Sequence, residues 1–296
     1  MERETLTALL LLILGGLTLQ FGAARTSVEP GNADDWLAER MSWRQLWLPL
    51  LPASWIGTCL LGWALAEPDP VRDRMNPVVV VLLAVPFMMI VGRALIRALV
   101  SLLKHPTQTR IHTYGLWRPR LYCDAALQSR WTPTEWLATY LHEYAHRRHR
   151  DPLRVWLAQI AVDVQWPWPD AQQRFLAWLE CLEQLRDLEA VTLGADPMDL
   201  ATAILKTVRY QQELGRTLQV PILMGARVAL TRPDVLLRQR INHLLHAQRA
   251  PFKNTLNRRI HWGFEILMMT GLWVSGLVVG LFLAAPMVAW LLRWTL

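Results

Sequence analysis

Thr132-Pro133-Thr134-Glu135-Trp136-Leu137-Ala138-Thr139-Tyr140-Leu141-His142-Glu143-Tyr144-Ala145-His146 settles more of this chain than any other run of its residues. Thr132 can cap a helix, Pro133 fits the first helical position, and Glu135 completes a capping box. The helix so started carries His142-Glu143-Tyr144-Ala145-His146, an H-E-x-x-H pattern, in its interior. At about 3.6 residues per turn His142 and His146 lie one above the other, close enough for both imidazoles to reach one metal. Glu143 sits beside them, suited to take a proton from an attacking water. The expectation is a zinc-dependent hydrolase with Glu143 as its general base.

A catalytic zinc takes three protein ligands and keeps one position open. His149 lies a further turn along the helix, too far to share a tetrahedral centre comfortably with the other two. Pro152 stands where a metzincin would need its third histidine. A carboxylate from a second helix is common in such sites. The long helical pattern from Ala171 to about Leu193 offers three, Glu180, Glu183 and Asp187, of which Glu183 and Asp187 are four apart on one face.

Upstream of the motif, Arg110 to Gly115 reads as a strand, and Arg118 to Tyr122, with its proline, as an edge strand. A free edge there could hold an extended substrate by strand addition. Downstream, Leu153 to Val164 is apolar, Trp166-Pro167-Trp168-Pro169 is a rigid break, and Gly194-Ala195-Asp196-Pro197 ends the acidic helix. Two more helical patterns follow, over about Met198 to Glu213 and Pro233 to Gln248. Tyr140, Tyr210 and His149 are candidates for stabilising an oxyanion.

The apolar residues of this 296-residue chain cluster in four blocks, about 7–23, 46–66, 77–103 and 262–292. A bilayer core of about 30 Å takes about 20 apolar residues in a helix, so each block qualifies as a transmembrane helix. The fold expected is mainly α: a four-span polytopic membrane protein with a zincin-like (gluzincin) α+β protease segment between spans three and four. Its parts are a membrane region over 1–103, a zinc metalloprotease domain over 104–260, and the fourth span with the C-terminus over 261–296. The leader Met1-Glu2-Arg3-Glu4 has more acid than base, so the first block is read as a span rather than a cleaved signal peptide. Arg25, Arg40, Arg44, Lys104, Arg110, Lys253, Arg258 and Arg259 flank the spans on one side. That bias puts the protease domain in the cytoplasm and the N-terminus outside a cell (inner) membrane.

Arg93 and Arg97 then read as side chains reaching headgroups, and Arg25 to Arg44, with Trp36 and Trp43, as an interfacial stretch with no chemistry of its own. The net charge of +7 is juxtamembrane in meaning and implies no direct nucleic-acid partner. Cys59, Cys123 and Cys181 read as unpaired thiols. Gly276-Leu277-Val278-Val279-Gly280 has the small-residue spacing through which a homodimer could pack.

The chain resembles the BlaR/MecR-type membrane metallopeptidases, the family of the beta-lactam sensor-transducers. The resemblance runs over roughly residues 110 to 245. It is carried by Arg118-Pro119-Arg120-Leu121-Tyr122, His142 to His146, Arg150-Asp151-Pro152-Leu153, Trp166 to Pro169 and Arg240-Ile241. It implies a zinc endopeptidase of regulated proteolysis or signalling. The protein substrate would be a transcriptional repressor or a membrane-associated protein, with the lipid bilayer as surroundings. The family's third ligand is the Glu of an E-x-x-x-D pattern, which falls on Glu183. Asp187 would then hold a ligating histidine by its other ring nitrogen. The chain stops soon after Arg293-Trp294, so no penicillin-binding sensor domain is expected. A quality-control protease of the HtpX or CAAX type shares the chemistry, and a scaffold that keeps the fold without turnover is the alternative from another class.

Overall fold

The capping box at Thr132 forms as its residues require. Thr132 Oγ1 accepts from Glu135 N at 3.2 Å, and Thr132 N donates to Glu135 Oε2 at 2.8 Å. In the computed structural model this helix is one of a set resolved over residues 35–51, 77–103, 111–166, 169–214, 233–247 and 270–281, with scattered positions between 54 and 62, which together are the described residues. In chain order they form α1 (Asp35–Trp47), α2 (Pro77–Leu103), β1 (His112–Tyr114), β2 (Arg120–Tyr122), α3 (Ala125–Gln128), α4 (Pro133–Arg148), α5 (Asp151–Val164), α6 (Pro169–Thr192), α7 (Pro197–Glu213) and α8 (Pro233–Ala247). The chain divides into two compact units: Met1–Glu29, Trp47–Ile90 and Asn254–Leu296 make one, Pro30–Leu46 and Val91–Lys253 the other.

In the second unit α4 packs against α6 and α7, with α8 against both of those and α5 beside α6. Small residues let the helices approach: Ala138 and Ala145 on α4, Ala190 on α6 and Ala201 on α7 are all buried. Larger side chains fill the rest, with Phe175, Trp178 and Leu182 of α6 fully enclosed. The antiparallel hairpin β1–β2 pairs His112 with Tyr122 and Tyr114 with Arg120, and lies against α4. Its turn needs Gly115, whose φ of +93° suits glycine. Between α4 and α5 the chain reverses at Arg150, which sits at φ 52° in the left-handed region.

In the first unit, a helix over 270–281 packs on the segment around Trp55–Cys59. A Cβ on Gly280 would fall 2.0 Å from Cys59 O, and one on Gly276 2.1 Å from Thr58 Oγ1. The small-residue spacing is thus occupied within the chain.

The four-span expectation is overturned: among the described residues no helix is long and apolar enough to cross a membrane. Hydropathy marks apolar sequence, but a span also needs about 20 consecutive residues in one uninterrupted apolar helix. The block at 7–23 lies outside the described residues, and the helix described within 262–292 covers only 270–281. Arg93 and Arg97 interrupt α2 and face protein rather than headgroups. Arg93 Nη1 is 3.7 Å and Arg97 Nε 3.2 Å from Asp163 Oδ1 on α5. The cell-membrane address, the external N-terminus and the cytoplasmic placement of residues 104–260 all rested on those spans and fall with them. The mainly helical character stands. The described part of that stretch, from residue 35, is helical as α1, but Trp43 packs at a tilt against Trp178 with centroids 4.9 Å apart instead of facing lipid.

Candidate metal centre

α4 delivers His142 and His146 to one face, and their ring centroids lie 4.7 Å apart with Nε2 atoms 3.1 Å apart. α6, packed across them, contributes Glu183. Its Oε2 is 3.6 Å from His142 Nε2 and its Oε1 3.5 Å from His146 Nε2. All three side chains are buried, and their donor atoms lie within 4.8 Å of one another, so the group could hold a metal ion.

Each histidine is backed by an aspartate, and each aspartate by an arginine. His142 Nδ1 stands 2.8 Å from Asp187 Oδ1, in an electrostatic contact rather than an aligned hydrogen bond. Arg240 of α8 clamps Asp187 through Nε at 2.5 Å and Nη2 at 2.7 Å, and reaches Glu183 Oε2 with Nη1 at 2.9 Å. His146 Nδ1 lies 2.9 Å from Asp151 Oδ2. The fully buried Arg186 binds Asp151 through Nε at 2.5 Å and Nη2 at 2.9 Å.

The donor chemistry fits a cation. With both rings neutral, as metal ligands must be, a carboxylate at each Nδ1 favours the proton there and turns the Nε2 lone pairs towards each other and Glu183. A cation bound between them would satisfy all three donors at once. Charged partners surround the group: Asp187 and Glu183 meet Arg240, and Asp151 meets Arg186 and Arg154. Titration follows the same contacts. Burial alone would lower the His142 imidazole, but the Asp187 and Glu183 carboxylates push it up to about 9. Burial would raise Glu183, yet Arg240 and the two histidines hold it down to about 2. Asp187, against Arg240, lies well below the usual carboxylate range.

Glu143 sits on the same helix, buried, and its Oε2 accepts from the hydroxyl of Thr113 on β1 at 2.7 Å. Glu180 and Asp187 do not join the donor group, since Asp187 stands behind His142 and Glu180 is only part-buried. The three oxyanion candidates are engaged elsewhere. His149 Nε2 lies 2.7 Å from Glu189 Oε1, Tyr210 donates to Asp124 Oδ2 at 3.0 Å, and Tyr140 stacks on Tyr144 with centroids 6.4 Å apart. The cation that does reach the donors is Arg240, whose Nη2 is 3.3 Å from His142 Nε2.

Sequence reasoning passes over Thr113 and Arg186 and gives Asp151 and Arg240 no role. For the last two a signal existed, since both lie in the stretches that carry the family resemblance. Compared with family models, curated proteins and solved structures, the chain matches none.

Proposed function

We propose that the protein is a zinc-dependent endopeptidase, with His142, His146 and Glu183 as zinc ligands and Glu143 as general base. The observation that carries this reading is the convergence of two imidazoles and a carboxylate with a second, buried glutamate on the same helix. Imidazole donors suit several divalent ions, and a His-His-Glu set with a position left open is the one catalytic zinc uses in peptidases. Bound there, zinc would supply a Lewis acid for the scissile carbonyl and acidify the attacking water. Glu143 accepts the water's proton and later returns it to the leaving amine. Thr113 donates to Glu143 Oε2 and so helps to hold the carboxylate in place. Asp187 and Asp151 fix the orientation of the two imidazoles. Arg240 sets a positive charge beside Glu183 and His142, where it can stabilise negative charge that develops on the substrate. Regulated cleavage of a protein such as a repressor is the role the family resemblance favours, and quality-control proteolysis of the HtpX kind would use the same residues.

One observation favours the non-catalytic scaffold instead. Arg240 already brings positive charge to Glu183 and to His142 Nε2, and so could satisfy those donors without an ion. Glu143→Gln separates the readings. The peptidase loses hydrolysis of an unstructured protein such as casein by roughly 100- to 10,000-fold while keeping its zinc. Hydrolysis unchanged by the substitution would refute the peptidase assignment.

A further inference from the structure

α1 lies far from the metal-binding residues in sequence, yet its side chains reach the support of one ligand. Arg154 of α5 lies against two neighbouring indoles, with its guanidinium carbon 5.0 Å from the Trp43 ring of α1 and 5.5 Å from the Trp178 ring of α6. Its two amino groups point to different carboxylates. Nη2 donates to Glu39 Oε1 of α1, and Nη1 donates to Asp151 Oδ1 at 3.3 Å. Glu39 is 6% exposed, and its Oε1 also accepts from Trp178 Nε1 at 2.9 Å. Asp151, fully enclosed, is the carboxylate at His146 Nδ1.

A carboxylate behind a ligating histidine raises that ligand's donor strength only as far as its own charge is not drawn off by other partners. Asp151 already carries Arg186 in two contacts. Glu39 takes a share of the charge of Arg154 and holds it at the edge of Asp151, in a buried setting where such a contact is strong. Without Glu39, Arg154 would turn wholly to Asp151 and weaken its hold on His146.

We propose that α1 completes the metal centre, with Glu39 a positioning residue that acts on His146 through Arg154 and Asp151. This rests on reading His142, His146 and Glu183 as metal ligands.

The test is cobalt titration of the full chain, read by visible absorption and by competition with a chelator, with melting of the metal-free proteins run alongside. Glu39→Gln is expected to shift the cobalt band and to weaken affinity by about tenfold, the lower end of what outer-shell changes do. In an Arg154→Met background the same substitution should have no further effect, because the route is already cut. Glu39→Asp keeps the charge but shortens its reach, so it should lose affinity in the same direction by less. It also carries the test if Glu39→Gln does not fold. Melting changes with unaltered affinity and band in both Glu39 variants, or effects of Glu39→Gln and Arg154→Met that simply add, overturn the proposal. Wild-type protein that takes up no cobalt overturns the metal reading itself, and this one with it.

Discussion

Asp187 and Asp151 do for the two histidines what the histidines cannot do alone: in the neutral rings they favour the proton on Nδ1 and so turn Nε2 towards Glu183. Asp187→Asn keeps the shape but removes the charge at His142 Nδ1, and is expected to weaken zinc affinity by roughly 10- to 100-fold in a chelator competition assay. The same contacts set the behaviour of the metal-free protein with pH. His142, raised to about 9, gains a stabilising charge interaction that is complete below its ordinary value of 6.5 and is lost as pH rises through about 9. Glu183, lowered to about 2, contributes stability that is complete above its ordinary 4.5 and is lost as pH falls towards about 2. Urea midpoints of the metal-free protein should therefore peak between 4.5 and 6.5 and fall on both sides. A midpoint that keeps climbing from pH 7 to 9 would contradict the electrostatic account. Since a ligating imidazole must be neutral, zinc binding at pH 7 should also release protons, which calorimetry in two buffers of different ionisation heat detects.

α4 is the element on which the site is built, and its start is local chemistry that Thr132, Pro133 and Glu135 announce in sequence. Thr132→Ala removes half of the capping box and is expected to cost about 1 kcal/mol in urea unfolding, with no cobalt-band change because the cap lies more than two turns from His142. The i, i+4 pairing of His142 with His146 is equally local, which is why it is legible from spacing alone. Glu183 is different: nothing on α6 distinguishes it from Glu180 or Asp187 until α6 lies across α4, so spacing left three candidates and only the family resemblance chose among them. Asp151 depends on the reversal at Arg150, whose left-handed φ of 52° returns the chain beneath His146. A β-propensity or helix-period reading carries no sign of that turn. Arg240 arrives from a helix 98 positions beyond His142, and such a contact is invisible without the tertiary packing of α8.

Across the whole molecule, local signals are legible and long-range ones are not. The helical patterns after residue 130 and the hairpin before it come from capping residues, prolines and periodicity, and they appear near their expected places. The membrane architecture was inferred from apolar runs, and it fails because hydropathy does not report whether an apolar run is one continuous helix or what its interrupting charges meet. Arg93 and Arg97 meet Asp163, and Trp43 meets Trp178, so residues assigned to lipid belong to the protein's own packing. Two His–Asp–Arg series, one from each histidine, enclose a buried group of His142, His146 and Glu183 that could hold a metal ion. The most direct measurement is the zinc content of the purified full chain after equilibrium dialysis, by plasma mass spectrometry, for wild type and His142→Ala. The expected result is a single ion held by the wild type and none by the variant; zinc absent from the wild type, or held equally by His142→Ala, would contradict the assignment.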